Sequence, residues 1–169
     1  GRRYLDGLSC LWNVNVGHGR TELADAGAAQ MRRLAFVNSY VGSSNAPAIT
    51  LAARLARMTP GTHLNTTFFT TGGAESSDTA FKTVRRYWAL RGQPDRVKII
   101  SRTNGYHGTT IGATAATGLP AFHPNWGPPA PGFVIVPPMD IDAIEAAILA
   151  DGPETVAAVF LEPVQNAGG

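Results

Sequence analysis

Three short stretches of this chain bring together residue types that could do chemistry. The first is Gly72, Gly73, Ala74 and Glu75 in succession, between a β-branched and aromatic run at 66–70 and a long helical pattern. Glycines let a backbone approach a ligand closely. The first turn of a helix adds N–H groups without intrahelical acceptors and the positive end of the dipole. Together these make a site for an anion such as phosphate. It is not a P-loop, because no Gly-Lys-Ser/Thr follows, and it is not a Gly-x-Gly-x-x-Gly turn. An ordinary strand-to-helix turn reads the same residues equally well.

The second stretch is Asn104, Gly105, Tyr106, His107 and Gly108. A tyrosine beside an anion-binding turn can stack on a flat heterocycle, worth on the order of 1 kcal/mol beyond the area it buries. A loop with a packed tyrosine is the commoner outcome for such residues. His107 could be a base or a metal ligand, but no second His, Cys or carboxylate stands at ligand spacing, which favours a structural role or support from behind a site. The third stretch is Glu162 with Pro163, closing an apolar run. A carboxylate there is costly unless it has a partner, so it serves either a site or a solvated strand end. Trp12, in the run Leu11 to Gly19, reads locally as core and alternatively as the wall of a pocket.

The elements that must position these residues alternate. Residues 3–16 suggest short strands or a hairpin, and Thr21 can cap a helix over 22–34. A second helix is expected over 47–58, with Pro47 in its first turn. Residues 66–70 suggest a strand and 74–90 a helix with Phe81, Val84, Tyr87 and Trp88 on one side. Strands are expected at 98–101, 133–136 and 156–161, and helices at 109–117 and, from Asp140, at 141–149. Residues 118–132 are rich in proline and glycine and suggest an extended loop. Alternation of this kind predicts an α/β fold with a mostly parallel sheet flanked by helices, whose ligands gather at the carboxyl ends of the strands. All three stretches fall at such ends. No internal repeat is present.

The bulk figures narrow the classes. The 169 residues suffice for a domain with a core, and 44% apolar against 15% charged residues argues against disorder. The low charge also suggests that much of the surface is covered by a partner subunit or further chain. The formal net charge is +2, with basic residues in scattered pairs such as Arg32 with Arg33 and Arg85 with Arg86 rather than in a nucleic-acid-binding run. One cysteine, Cys10, excludes a disulfide framework. No secretory leader or membrane-length apolar run is seen, which predicts a cytoplasmic protein.

Taken in order, the runs at 1–20, 68–88, 102–110 and 161–169 resemble the class III pyridoxal-phosphate-dependent aminotransferases, with similar spacing across nearly the whole chain. One such block would be weak; four in order are specific. The resemblance implies a fold type I transferase, with residues 1–45 in a small N-terminal segment and 46–169 forming the first part of the large cofactor-binding domain. It implies pyridoxal 5'-phosphate as cofactor. Gly72, Gly73 and Ala74 would hold its phosphate through backbone N–H groups, Tyr106 would stack on its ring, with His107 and Gly108 completing that motif, and Glu162 would stand near the ring. Trp12 would wall the substrate pocket. It further implies a homodimer with sites at its interface, and ping-pong transfer of an amino group from an amine or ω-amino acid to a keto acid such as pyruvate.

The chain also departs from the family pattern. Ala74 stands where Ser or Thr is common, so a hydroxyl contact to the phosphate is lost. Ser76 and Ser77 replace a common Ala-Asn, with no chemical effect expected. Asn166 stands at a usual Gly, and Cys10 at a position that is small, often Gly. The family's covalent lysine and its ring-nitrogen aspartate follow the Glu-Pro block, and neither Lys82 nor Lys98 sits in such a context. The chain therefore reads as an N-terminal fragment carrying the phosphate-binding and stacking half of a site, inactive by itself. The competing readings are a truncated or degenerate non-catalytic paralogue and a pyridoxal-phosphate-dependent aminomutase. A nucleotide-binding module fits less well, because it lacks both the P-loop lysine and a ribose-binding acid.

Overall fold

The structure, a computed structural model, describes residues 1–61 and 63–167. The chain divides into two compact units, 1–67 and 68–169.

The first unit contains α1 (Ser9–Trp12), α2 (Thr21–Arg33) and α3 (Ala46–Met58). The strands expected in 3–16 do not form. Instead Ser9, Cys10, Leu11 and Trp12 take φ values of +50° to +59°, a short left-handed turn. Local side chains hold it. The Asp6 carboxylate accepts from Leu8 N at 3.0 Å and Cys10 N at 2.8 Å, and the Asn13 amide donates to the carbonyls of Cys10 and Leu11 at 3.2 and 2.8 Å. Such bonds compete with a sheet ladder. At φ +50°, Cys10 occupies a conformation natural to the glycine common at its position in the resembling family. Thr21 is the first residue of α2 rather than its cap, since Arg20 holds that place without a side-chain bond. In α3, by contrast, Asn45 caps by accepting from Ala48 N at 2.9 Å, and Pro47 sits in the first turn, where a missing N–H costs nothing.

The second unit is built on a three-stranded parallel sheet of order β2-β1-β3, formed by β1 (Lys98–Arg102), β2 (Phe133–Val136) and β3 (Val156–Val159). Successive side chains of a strand point to opposite faces. Ile99 accordingly joins Phe81, Ala116 and Ala157 on one face, under α4 (Gly73–Leu90) and α5 (Ile111–Ala116). Ile100 joins Val136 and Val156 on the other, under α6 (Ile141–Asp151). Both isoleucines are fully buried. The result is a helix–sheet–helix sandwich. Asp140 caps α6 by accepting from Ala143 N at 2.9 Å, as its position before the helix predicts.

Residues 66–70 are not a strand. The Thr-Thr-Phe-Phe-Thr run has the composition of one, but strand propensity largely measures packing against neighbouring strands. Both edges of β1 are taken by β2 and β3, and no described residue pairs with 66–70. Phe68 and Phe69 are exposed.

Candidate functional site

At the carboxyl end of the sheet the three stretches singled out in the second unit come together. The first, Gly72, Gly73 and Ala74, opens α4. Gly72 is its N-cap and has no side chain to cap with. The first intrahelical acceptor, Gly72 O, takes Ser76 N at 3.1 Å, which leaves the N–H groups of Gly73, Ala74 and Glu75 without intrahelical acceptors. Open space surrounds Gly72 and Gly73: a β-carbon at either would meet nothing within 4 Å. Glu75 turns back to cap Thr71, accepting from its N–H at 2.8 Å and from its hydroxyl. These hydrogen bonds hold the Glu75 carboxyl below its ordinary pKa.

The second stretch leaves β1 through Thr103 and Asn104. A parallel bridge between Thr103 and Gly118 closes the loop at its base, with Asn104 N donating to Gly118 O at 2.9 Å and Gly118 N to Gly105 O at 2.8 Å. Asn104 takes φ +66°, which a short polar side chain tolerates. Tyr106 stands at the apex, 39% exposed, its ring tilted against Phe122 at 5.5 Å between centroids.

His107 is turned inward. It is 8% exposed and its ring lies 4.7 Å from that of Phe160. Of the residues expected at the cofactor, it is the one whose side chain the fold packs beneath the loop. Burial pushes its pKa below 6.5; the nearby Glu162 carboxylate opposes this shift, and Arg102 adds to it. The folded state therefore favours the neutral ring. In the unfolded chain the same imidazole titrates near 6.5. Above that pH both states are neutral and the native state bears no penalty. As pH falls through 6.5 the unfolded chain takes up a proton that the folded one resists, and stability is lost until the folded pKa is reached. The urea midpoint is expected to drop as pH falls below about 6.5, and His107→Gln to remove that part of the drop. An equal pH dependence in the variant would exclude His107 as its source.

The third stretch follows β3. The Glu162 carboxylate accepts from Tyr106 N at 3.1 Å through Oε1, while its Oε2 is buried with no hydrogen-bond partner among the described residues. Arg102, at the end of β1, donates to the Glu162 carbonyl at 2.5 Å, and Gln165 donates to Thr103 O at 2.9 Å. These bonds tie the segment after β3 to the loop after β1.

Gly108 joins the loop to the helix start. Its backbone passes so close to Ala74 that an added β-carbon would lie 2.6 Å from Ala74 Cβ. The loop bearing Tyr106 is thus seated on the turn that presents the free N–H groups. An exposed aromatic face, a set of N–H donors and an unpartnered carboxylate oxygen suit a flat, polar, anionic molecule.

Trp12 belongs to the first unit, on its left-handed turn, and is 49% exposed. The two lysines take no part in the constellation. Lys98 lies at the opposite, amino end of β1 and pairs with Asp151 at 3.1 Å, and Lys82 is exposed on α4. Among the described residues no group of three His, Cys, Asp or Glu could hold a metal ion, and no helix is long and apolar enough to cross a membrane.

Sequence reasoning passed over two buried hydroxyls. They hold the backbone of His107 from both sides: Ser77 donates to its carbonyl at 2.8 Å, and Thr117 accepts from its N–H at 3.0 Å. The signal was present for Ser77, which shares with Phe81, Val84 and Trp88 the stripe that faces the sheet. A small polar residue on an apolar stripe calls for a partner.

The comparisons with known proteins agree with one another. The family model described as aminotransferase class-III matches residues 1–169. A probable aminotransferase of Mycobacterium tuberculosis is 48% identical over all of this chain and 40% of its own length. A putrescine–pyruvate aminotransferase of Pseudomonas aeruginosa is 39% identical over all of this chain and 41% of its own. Among solved structures, an (S)-enantioselective omega-transaminase from Thermomicrobium roseum superposes with a TM-score of 0.94 at 48% identity, covering 100% of this chain and 41% of that one. An amine transaminase from an uncultivated Pseudomonas species, in its PLP-bound form, gives 0.89 at 34% identity, covering 100% and 42%. The chain spans about 40% of the length of the curated relatives it matches.

Proposed function

Because the chain belongs to the class III aminotransferase family, whose cofactor is pyridoxal 5'-phosphate, we propose that it forms part of a transaminase moving an amino group from an amine or ω-amino acid to a keto acid such as pyruvate. When bound, the cofactor supplies the carbonyl that takes up the amino group and the ring that withdraws electrons from the reacting carbon. This chain's residues supply position. The N–H groups of Gly73 and Ala74, backed by the α4 dipole, receive the phosphate, with no hydroxyl at position 74 to assist. Tyr106 stacks its exposed face on the ring. Glu162 offers Oε2 to a donor on the ring or on the substrate. His107 supports the loop from beneath.

The observation that carries this reading is the seat of Gly108 on Ala74, which brings the stacking residue and the phosphate donors into one place. The orphaned Glu162 oxygen and the open space at Gly72 and Gly73 fit the same group. In the same proposal residues 1–45 belong to a small N-terminal domain and 46–169 to the large one, and two copies pair in the cytoplasm. In the same proposal neither Lys82 nor Lys98 serves as the covalent lysine, and residues 1–169 alone would not transaminate; the exposure of Lys82 and the pairing of Lys98 with Asp151 support this.

The test is to load the full-length protein with pyridoxal phosphate and supply amines with pyruvate. Alanine and a carbonyl product are expected, and none from residues 1–169 by themselves. Movement of the amino group within one substrate would indicate an aminomutase instead, and failure to bind the cofactor at all would end the reading.

A further inference from the structure

The backbone of His107 and Gly108 is held from two helices at once. From α4, Ser77 Oγ donates to His107 O at 2.8 Å. From the end of α5, Thr117 Oγ1 accepts from His107 N at 3.0 Å, and its own proton is shared between Gly108 O at 3.1 Å and Ala113 O at 2.9 Å. Ser77 is 8% exposed and Thr117 is fully buried. No other hydrogen bond to the His107 carbonyl is present among the described residues. Ser77 stands one helical turn after Gly73, on the same rigid helix that opens with the free N–H groups.

We propose that Ser77 is a positioning residue for the cofactor: its hydroxyl locks the loop bearing Tyr106 to α4, and so fixes the distance between the stacking ring and the phosphate donors. This rests on the functional reading above. Tyr106 itself is half exposed, and among the described residues Phe122 is the one aromatic ring it meets. Its placement is set through its backbone, on one side by Glu162 at Tyr106 N and on the other by the clamped peptide that follows. Without Ser77 the loop keeps its attachment to α5 through Thr117, but its register to α4 rests on the packing of Gly108 against Ala74 with no hydrogen bond from Ser77 to fix it. A phosphate and a ring joined in one rigid ligand report that register directly.

The experiment compares Ser77→Ala, Ser77→Asn and Ile148→Ala in the full-length protein, with pyridoxal phosphate as the probe. Ile148 packs on the opposite face of the sheet and controls for general loss of stability. Ser77→Ala is expected to weaken cofactor binding about tenfold, which corresponds to about 1.4 kcal/mol, and to diminish the circular dichroism that the site induces in the cofactor. Ser77→Asn restores an N–H donor and is expected to recover both. Ile148→Ala should lower the melting temperature and move neither. Unchanged affinity and dichroism in Ser77→Ala, whatever its melting temperature, would overturn the proposal, as would an equal change in Ile148→Ala. Should Ser77→Ala fail to fold, Ser77→Cys, a weaker donor, carries the same expectation in smaller degree. Amide exchange at His107 and Gly108 in cofactor-free protein reads the clamp independently. If the wild type binds no pyridoxal phosphate, the functional reading fails. Faster exchange in Ser77→Ala then still supports the clamp, and unchanged exchange removes it.

Discussion

An alanine at position 108 is expected to dismantle the site while leaving the sheet intact. Its β-carbon would lie 2.6 Å from Ala74 Cβ, 2.7 Å from Ala74 Cα and 3.0 Å from Ala113 Cβ. None of these atoms is the far end of a flexible side chain. Relief requires the loop to lift from α4, or α4 and α5 to part. Overpacking of this kind costs about 1–3 kcal/mol. The backbone adds to it, since Gly108 has φ +123°, outside the range that residues with a β-carbon adopt readily, at a further cost of roughly 1–2 kcal/mol. The total of about 2–5 kcal/mol falls on the contact that joins the Tyr106 loop to the free N–H groups at the start of α4. If about 2.8 kcal/mol of it appears as lost register, pyridoxal phosphate affinity falls about 100-fold. Cofactor titration and urea unfolding of Gly108→Ala check this together, and near-native values for both would mean that the loop is not seated as described.

Much of this arrangement was legible before any coordinates. Strands β1 and β2, helices α3, α4 and α6 and the parallel alternation follow from apolar periodicity and from helix starts that a single residue declares, as Pro47 and Asp140 do. Tyr106 and Glu162 were readable as strand-end residues, and the structure joins them by one hydrogen bond across 56 residues of sequence. The failures share a physical cause. The run 66–70 has strand composition, yet a strand exists only where another lies beside it, and local composition carries no information about that neighbour. At 3–16, alternating apolar residues were outweighed by Asp6 and Asn13, which satisfy the backbone locally.

Ser77 shows a different limit. Set against the resembling family, its replacement of asparagine reads as neutral, because neither residue reacts. Its importance lies in what its hydroxyl reaches, the His107 carbonyl 30 residues away. The sequence marks such a residue only by placing it on the buried stripe of α4. The same stripe joins site and core: Ser77 at one end holds the loop, and Phe81, one turn further, holds the sheet.

Phe81→Ala is accordingly expected to give the largest loss of stability. Phe81 is 4% exposed, and its ring meets Phe133 edge-on at 5.1 Å and Phe160 at 4.9 Å. Truncating a buried phenylalanine costs about 3–5 kcal/mol, from lost transfer energy and the cavity left behind. Two edge-to-face pairs, each worth roughly 0.5–1.5 kcal/mol beyond burial, place this site toward the upper end. The consequence reaches the site by a short route. Phe160 also packs on His107, and Glu162 follows two residues later. A cavity beneath Phe160 therefore loosens both the support under the Tyr106 loop and the segment after β3 that carries the Glu162 carboxylate. The denaturant midpoint should fall steeply, and cofactor affinity should fall with it. Phe81→Leu, which refills most of the volume, should recover the greater part of both. A variant that lost stability as expected but bound pyridoxal phosphate as tightly as wild type would show that Glu162 and the loop are held independently of the core beneath them.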